Sequence, residues 1–215
     1  MNVIDNPTSD RRAHWNAAYA ARGPEAVSWF DRDASESLAA LVPLLAPGDP
    51  VLDVGGGASD LAARLTESGL GPVTVLDLSE TALGLARARA GATAPGIAWI
   101  QGDVTRWSPP HPFALWQDRA VFHFLTRPED RAAYLATLAA ALRPGGHAIL
   151  STFAEDGPDR CSGLPVMRYA PDALAAAIAA IAPGLLRPVA ATRHLHRTPT
   201  GVGQRFQTSI FQRAA

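Results

Sequence analysis

Apolar residues fall into short unbroken blocks through the middle of this chain, and between the blocks they thin to a single helical stripe. Val51-Leu52-Asp53-Val54, Val73-Thr74-Val75-Leu76 and Phe113-Ala114-Leu115-Trp116 are the clearest blocks. Such blocks, bounded by Gly, Pro or acidic residues, read as strands buried on both faces. The pattern predicts strands over 51–54, 73–76, 97–100, 113–117 and 147–153. It predicts helices over 58–68, 79–90, 127–142 and 171–182, with Thr126 and Glu129 as a cap pair for the third of these. Strands alternating with helices imply a doubly wound α/β sheet with right-handed parallel crossovers. Ahead of this core, Asp10–Ala21 reads as a helix with Trp15 and Tyr19 four apart on one face. Asp33–Leu45 reads as a second helix, with Asp33 and Glu36 as a capping box and Pro47-Gly48 as the stop. Two strand-like runs, 185–197 and 203–212, flank Thr198-Pro199-Thr200-Gly201 and predict a terminal hairpin.

Composition narrows the function classes. With 215 residues, the chain is expected to form one domain, an N-terminal helical lid over 1–48 and a core over 49–215. A net charge of −1, with 19 basic residues dispersed along the chain, disfavours a nucleic-acid partner. No window approaches the ~18 consecutive apolar residues of a membrane span. Met1 to Asp10 is polar and lacks a signal core. The lone cysteine, Cys161, cannot form an internal disulfide. The expectation is a cytoplasmic protein with no membrane partner.

The most informative segment is Asp53-Val54-Gly55-Gly56-Gly57, a glycine turn at a strand end. Gly55 and Gly57 allow positive φ and let a ligand approach without a Cβ in the way. In a doubly wound fold this turn receives a nucleotide-like ligand. The dinucleotide fingerprint would need a third glycine at position 60, which is Asp60. Asp53 and Asp60 together suit a cationic ligand better than a pyrophosphate. Asp77, at the end of the second predicted strand, can accept both hydroxyls of a ribose. That requirement is common to NAD and S-adenosylmethionine, so the turn discriminates and Asp77 does not.

Five pieces in one order carry a resemblance. They are Val51–Gly57, Val75-Leu76-Asp77-Leu78-Ser79, Gln101-Gly102-Asp103-Val104, Phe113–Asp118 and Leu142-Arg143-Pro144-Gly145-Gly146. The chain resembles the class I S-adenosylmethionine-dependent methyltransferases, with Ser59 where many members have a third glycine. The resemblance implies a Rossmann-like, seven-stranded, mostly parallel sheet whose last strand is antiparallel, and S-adenosyl-L-methionine as cofactor. It implies cofactor contacts from Asp53, Gly55, Gly57, Asp77, Leu78, Asp103, Val104 and Asp118. Asp53 would lie near the methionyl end, Asp77 on the ribose and Asp103 on the adenine amino group. Each also has a plainer role as a turn acceptor or loop acid. Trp15, Tyr19 and Trp29 either pack the N-terminal helices or form a lid facing the sulfonium through cation–π contact.

Asp118 and His123 are the candidate catalytic residues. They follow the fourth strand, where doubly wound folds place reacting groups, and a neutral His is the usual proton acceptor near neutral pH. Asp118 would orient the acceptor and His123 would take its proton; the alternatives are an ion pair and a packed ring. Cys161 reads as an ordinary cysteine of a loop that lines the acceptor pocket in the family. His194 and His196 lack a third ligand at suitable spacing, so no metal is expected. A narrower likeness joins Trp15, Tyr19, Trp29 and Asp118-Arg119 to the methyltransferase-like protein lysine methyltransferases. Arg119, Ala120 and His123 replace that group's Lys, Gly and Asp. The acceptor is therefore a small molecule or a protein. The rival functions are a catalytically silent S-adenosylmethionine-binding protein and an NAD-dependent oxidoreductase.

Overall fold

A computed structural model describes residues 8–22 and 34–214 of the chain. Trp29 and Asp33 lie outside the described residues. Seven strands form one sheet in the order β3-β2-β1-β4-β5-β9-β8. They are β1 Val51–Val54, β2 Val73–Asp77, β3 Ile97–Gln101, β4 Phe113–Arg119, β5 Leu142–Phe153, β8 Leu186–Arg197 and β9 Gly203–Arg213. The pairs β1–β2, β2–β3, β1–β4 and β4–β5 are parallel, and the last strand in the chain, β9, is antiparallel to both β5 and β8. The expected doubly wound sheet is therefore present.

Every residue of β1 and β2 is buried. Central parallel strands are covered on both faces, which is why they read as solid apolar runs. Alternate residues go to opposite layers. Leu52, Val54, Leu76, Trp116 and Leu150 pack in one layer with Tyr134, Leu138, Leu174 and Ile178 of helices α5 (Pro128–Ala141) and α6 (Pro171–Ile181). Val51, Val73, Val75, Leu115 and Ile149 pack in the other with Leu41, Leu61, Leu65 and Leu83. These last belong to α2 (Ser35–Leu41), α3 (Leu61–Glu67) and α4 (Glu80–Ala90).

Local chemistry moves several boundaries. The expected helix 58–68 begins at Leu61, because the glycine turn continues further. Ser59 N–H donates to the Gly56 carbonyl at 2.9 Å, and Leu61 N–H donates to Ser59 Oγ at 3.1 Å. The second N-terminal helix stops at Leu41 and tightens to a 3-10 turn over Val42–Leu44. Pro43 supplies no N–H to continue the α-helical ladder. Thr126 and Glu129 do not form the expected cap pair of α5. Pro128 sits in the first turn, and Glu129 accepts from Arg127 Nε at 2.6 Å. β5 starts at Leu142 rather than 147, running through Pro144-Gly145-Gly146 with a register shift against β4. Inside the expected loop 154–168 is a small hairpin, β6 (Arg160–Cys161) and β7 (Leu164–Pro165). Its turn residues Ser162 and Gly163 both have positive φ, 49° and 78°, as a type I′ turn requires.

Candidate functional site

The strand order reverses between β1 and β4, so the loops at their carboxyl ends diverge and leave a cleft. The cleft and the solvent at its open mouth together span about 820 Å³. Its floor begins at Val54 and Gly55. Gly55 has φ +66°, and its N–H donates to the Leu76 carbonyl at 2.7 Å. A Cβ added there would collide with Val121 Cγ2. Gly57 has φ +52°, and a Cβ there would lie 2.5 Å from Tyr19 Oη and 3.4 Å from Asp77 Oδ2. Both glycines are required by space as well as by φ.

Asp77 and Leu78 line the cleft after β2, and Gly102, Asp103 and Val104 line it after β3. Asp77 is 9% exposed and accepts from Ser79 N–H at 2.7 Å. Burial pushes its carboxyl up to about 6, against the pull of backbone N–H donors from Ser79, Gly57 and Leu78. Gly102 N–H donates to the Asp77 carbonyl at 2.9 Å, which ties the two loops together. Asp103 Oδ1 accepts from Thr105 N–H and Oγ1–H at 3.0 and 2.7 Å. Asp60 pairs with Arg89 of α4, so less of its charge acts on the glycine turn than the sequence suggested.

Helix α1 (Thr8–Arg22) crosses the cleft mouth and brings Arg11, Trp15 and Tyr19 to its lining. Contacts with α4, α5 and the segment after β4 hold it. Asn16 Oδ1 accepts from Ser79 Oγ–H at 2.7 Å and from Thr81 N–H at 3.4 Å, at the start of α4. Trp15 meets the Phe124 ring edge-on, with centroids 5.0 Å apart. Arg11 pairs with Asp130 of α5 at 3.5 Å. Asn16 and Arg11 were not candidates from sequence. Polar residues on an exposed-looking helix face carry no signal until the helix is docked.

Four of the expected site residues that are described do not line the cleft: Gly57, Asp53, Asp118 and His123. Asp53 is 3% exposed, with its side chain beneath Gly56, where an added Cβ would lie 2.5 Å from Oδ2. Burial pushes its carboxyl up to about 7; Arg119 opposes this, and Asp77 and Asp118 add to it. Asp118 is fully buried and its oxygens are engaged locally. Oδ1 accepts from Val121 N–H at 2.8 Å; Oδ2 accepts from Phe122 N–H at 3.0 Å and from Tyr134 Oη–H at 2.6 Å. Tyr134 Oη in turn accepts from Trp116 Nε1–H at 2.8 Å. Burial pushes Asp118 up to about 6, against those donors. Asp118 thus anchors the turn after β4 and does not line the cleft. His123 is also fully buried, between the rings of Phe124 and Phe153 at 4.5 and 4.9 Å. Its Nδ1 accepts from Phe153 N–H at 3.3 Å, so the neutral ring carries its proton on Nε2. Burial pushes its pKa down to about 3.

The residues after β4 that do reach the cleft are Arg119, Ala120, Val121, Phe124 and Leu125. Ala120 has φ +70°, a conformation that costs an L-residue roughly 1–2 kcal/mol. Its N–H donates to the Ser151 carbonyl at 2.9 Å, which fixes that turn to β5. Cys161 also lines the cleft, from β6. Burial pushes its thiol up to about 12, with Arg119 opposing.

Known proteins are similar to this chain in sequence over part of its length and in fold. A family model described as a methyltransferase domain matches residues 51–146, from the start of β1 into β5. A ubiquinone/menaquinone biosynthesis C-methyltransferase from Roseobacter denitrificans is 34% identical over 122 residues, 54% of this chain and 48% of that protein. An eEF1A lysine and N-terminal methyltransferase from Danio rerio is 27% identical over 147 residues, 66% of this chain and 21% of that protein. This is the weaker second likeness seen in the sequence. The chain therefore spans about half the length of the first relative and about a fifth of the second. A solved 1,6-didemethyltoxoflavin-N1-methyltransferase from Burkholderia thailandensis, with S-adenosylhomocysteine bound, superimposes with a TM-score of 0.71 at 22% identity. The match covers 100% of this chain and 94% of that one. Family match and fold agree with the resemblance carried by the five sequence pieces, that to a class I S-adenosylmethionine-dependent methyltransferase.

Proposed function

We propose that this chain, class I methyltransferase in fold and family match, transfers a methyl group from S-adenosylmethionine to an acceptor bound in the same cleft. The observation that carries the reading is the cradle at the ends of β1 and β2. Two positive-φ glycines let the backbone turn where a Cβ would collide with Val121 or Tyr19, both of which line the cleft, and the Asp77 carboxylate stands beside one of them. A pair of ribose hydroxyls needs such an acceptor, and Asp103 offers a second carboxylate for an exocyclic amine. When bound, the cofactor supplies a methyl already activated by the sulfonium charge. The chain's own task is then to bind, orient and exclude water. Val104 and Leu78 give apolar walls, and Trp15 and Tyr19 close the cleft from α1. An aromatic ring facing a sulfonium is favourable through its quadrupole.

Calorimetric titration of the purified chain tests this. S-adenosylmethionine and S-adenosylhomocysteine should both bind, and NAD should not. Asp77→Ala should weaken binding by ~1.5–3 kcal/mol, the scale of hydrogen bonds to a charged group. Equal affinity in the variant removes Asp77 from the ribose, and preferential binding of NAD removes the whole reading.

A further inference from the structure

The cleft differs on the two sides of β1. Its carboxylates, Asp77 and Asp103, follow β2 and β3, on the side given above to the ribose and the exocyclic amine. On the β4 side the lining is apolar. Ala120, Val121, Phe124 and Leu125 come from the segment after β4, Trp15 from α1 and Cys161 from β6. This wall is backed by a run of rings. Phe124 meets Trp15 edge-on at 5.0 Å and His123 edge-on at 4.5 Å, and His123 packs on Phe153 at 4.9 Å. Phe153 meets Phe206 edge-on at 4.7 Å, and both cluster with Cys161 and Phe124. The segment that follows the β6–β7 hairpin is tied to the same wall. Met167 N–H donates to the His123 carbonyl at 2.8 Å, and Tyr169 N–H donates to the Phe153 carbonyl at 3.0 Å.

The charges beside this wall serve groups of the chain itself. Arg11 pairs with Asp130 at 3.5 Å. Arg119 acts electrostatically on the buried Asp53, so its charge is offset behind the wall. Asp118 accepts from Val121 N–H, Phe122 N–H and Tyr134 Oη–H. A lysine ammonium entering here would exchange its water for hydrocarbon, with Asp118 already committed. A carboxylate would have to draw Arg11 or Arg119 away from carboxylates that they already serve.

We propose that the acceptor is a small, uncharged aromatic molecule, that its ring is seated against Phe124, Leu125 and Cys161, and that Cys161 limits the length of the ring system. The proposal rests on the methyltransferase reading above. An uncharged ring loses little hydration on entering an apolar wall. Against aromatic neighbours, edge-on or offset contact adds to the area buried. A rigid ring also gives up less conformational freedom than a flexible chain of equal size. Cys161 fits its part of the wall because its thiol stays protonated, pushed up to about 12 by burial, and packs as a small hydrophobe.

The test uses the full chain saturated with S-adenosylhomocysteine, so that failure of cofactor binding is read separately from failure of this proposal. Naphthylmethanol, its decahydro analogue, naphthoate and naphthylmethylamine are titrated calorimetrically as size-matched probes. Naphthylmethanol should bind about 2–10-fold more tightly than its saturated analogue and at least about tenfold more tightly than the anion and the cation. Cys161→Phe, which fills the end of the ring site, should weaken naphthylmethanol at least about tenfold and the shorter benzyl alcohol less than about threefold. S-adenosylhomocysteine affinity in that variant should stay within about threefold of wild type, which a damaged fold would not allow. If Cys161→Phe does lose the cofactor, Cys161→Leu carries the same comparison, with a loss of at least about threefold for the longer alcohol alone. Absent or equal probe binding in cofactor-loaded protein, tighter binding of the anion, the cation or the saturated alcohol, or equal losses for the long and short alcohols in the variant would each overturn the proposal.

Discussion

Tyr134→Phe deletes one oxygen from the most heavily bonded part of the site wall. Tyr134 Oη donates to Asp118 Oδ2 at 2.6 Å and accepts from Trp116 Nε1–H at 2.8 Å. All three side chains are fully buried, so water cannot replace the lost partner without opening the core. Loss of a hydrogen bond to a charged carboxylate costs ~1.5–3 kcal/mol, and a buried N–H left unpaired costs ~1–3 kcal/mol. The sum is roughly 2.5–6 kcal/mol, which for a chain of this length lowers Tm by about 5–24 °C. The penalty also depends on pH. Asp118 titrates near 6, so it is charged at about pH 8 and mostly neutral at about pH 5. A neutral carboxyl forfeits only ~0.5–1.5 kcal/mol with the lost donor. The Tm difference between variant and wild type should therefore be several degrees larger at the higher pH. Differential scanning calorimetry at both pH values reads it directly. A drop below about 2 °C, or one equal at the two pH values, would refute the account of Asp118 as a charged hub of this wall.

Two further predictions concern α1 and the buried carboxylates. Asn16→Ala removes the acceptor that ties α1 to Ser79, the residue whose N–H holds Asp77, so S-adenosylhomocysteine should bind ~3–10-fold more weakly. Stopped-flow measurement should show the loss as faster dissociation, and an unchanged off-rate would mean that α1 does not retain the ligand. Asp53, Asp77 and Asp118 all have folded-state values raised above those of ordinary carboxylates. Their stabilising effect is full below about pH 4 and is lost as pH rises through about 6 to 7. Asp53 is faced by Asp77, Asp118 and Arg119, and a sulfonium entering beside them favours their ionised forms. S-adenosylmethionine should therefore release protons on binding near pH 6–7 and the neutral S-adenosylhomocysteine should release fewer, measurable by calorimetry in two buffers of different ionisation enthalpy. Equal release by the two ligands would remove the buried carboxylates from the linkage.

The order of elements and the cradle were legible along the chain because both depend on local rules. Parallel strands covered on both faces must be apolar throughout, so β1, β2 and β4 stand out as blocks. A backbone that must turn with positive φ and pass close to Val121 and Tyr19 needs glycine, so Gly55 and Gly57 stand out too. Asp77 and Asp103 follow from strand ends that lie on one edge of the sheet. Which side of the wall a residue occupies is a different kind of fact. Asp118, Arg119, Ala120 and His123 sit within six consecutive positions, yet only Arg119 and Ala120 reach the cleft. That partition is made by the positive φ of Ala120, by Tyr134 arriving from α5 to claim Asp118, and by Phe153 of β5 claiming His123. Asn16 and Arg11 gain their roles only when α1 lies against α4 and α5. Periodicity and glycine placement are written in neighbouring residues, so the sequence determined the scaffold and the cradle. The direction of a buried polar side chain is set by partners distant in the chain, so only the tertiary structure decided which charges face the acceptor.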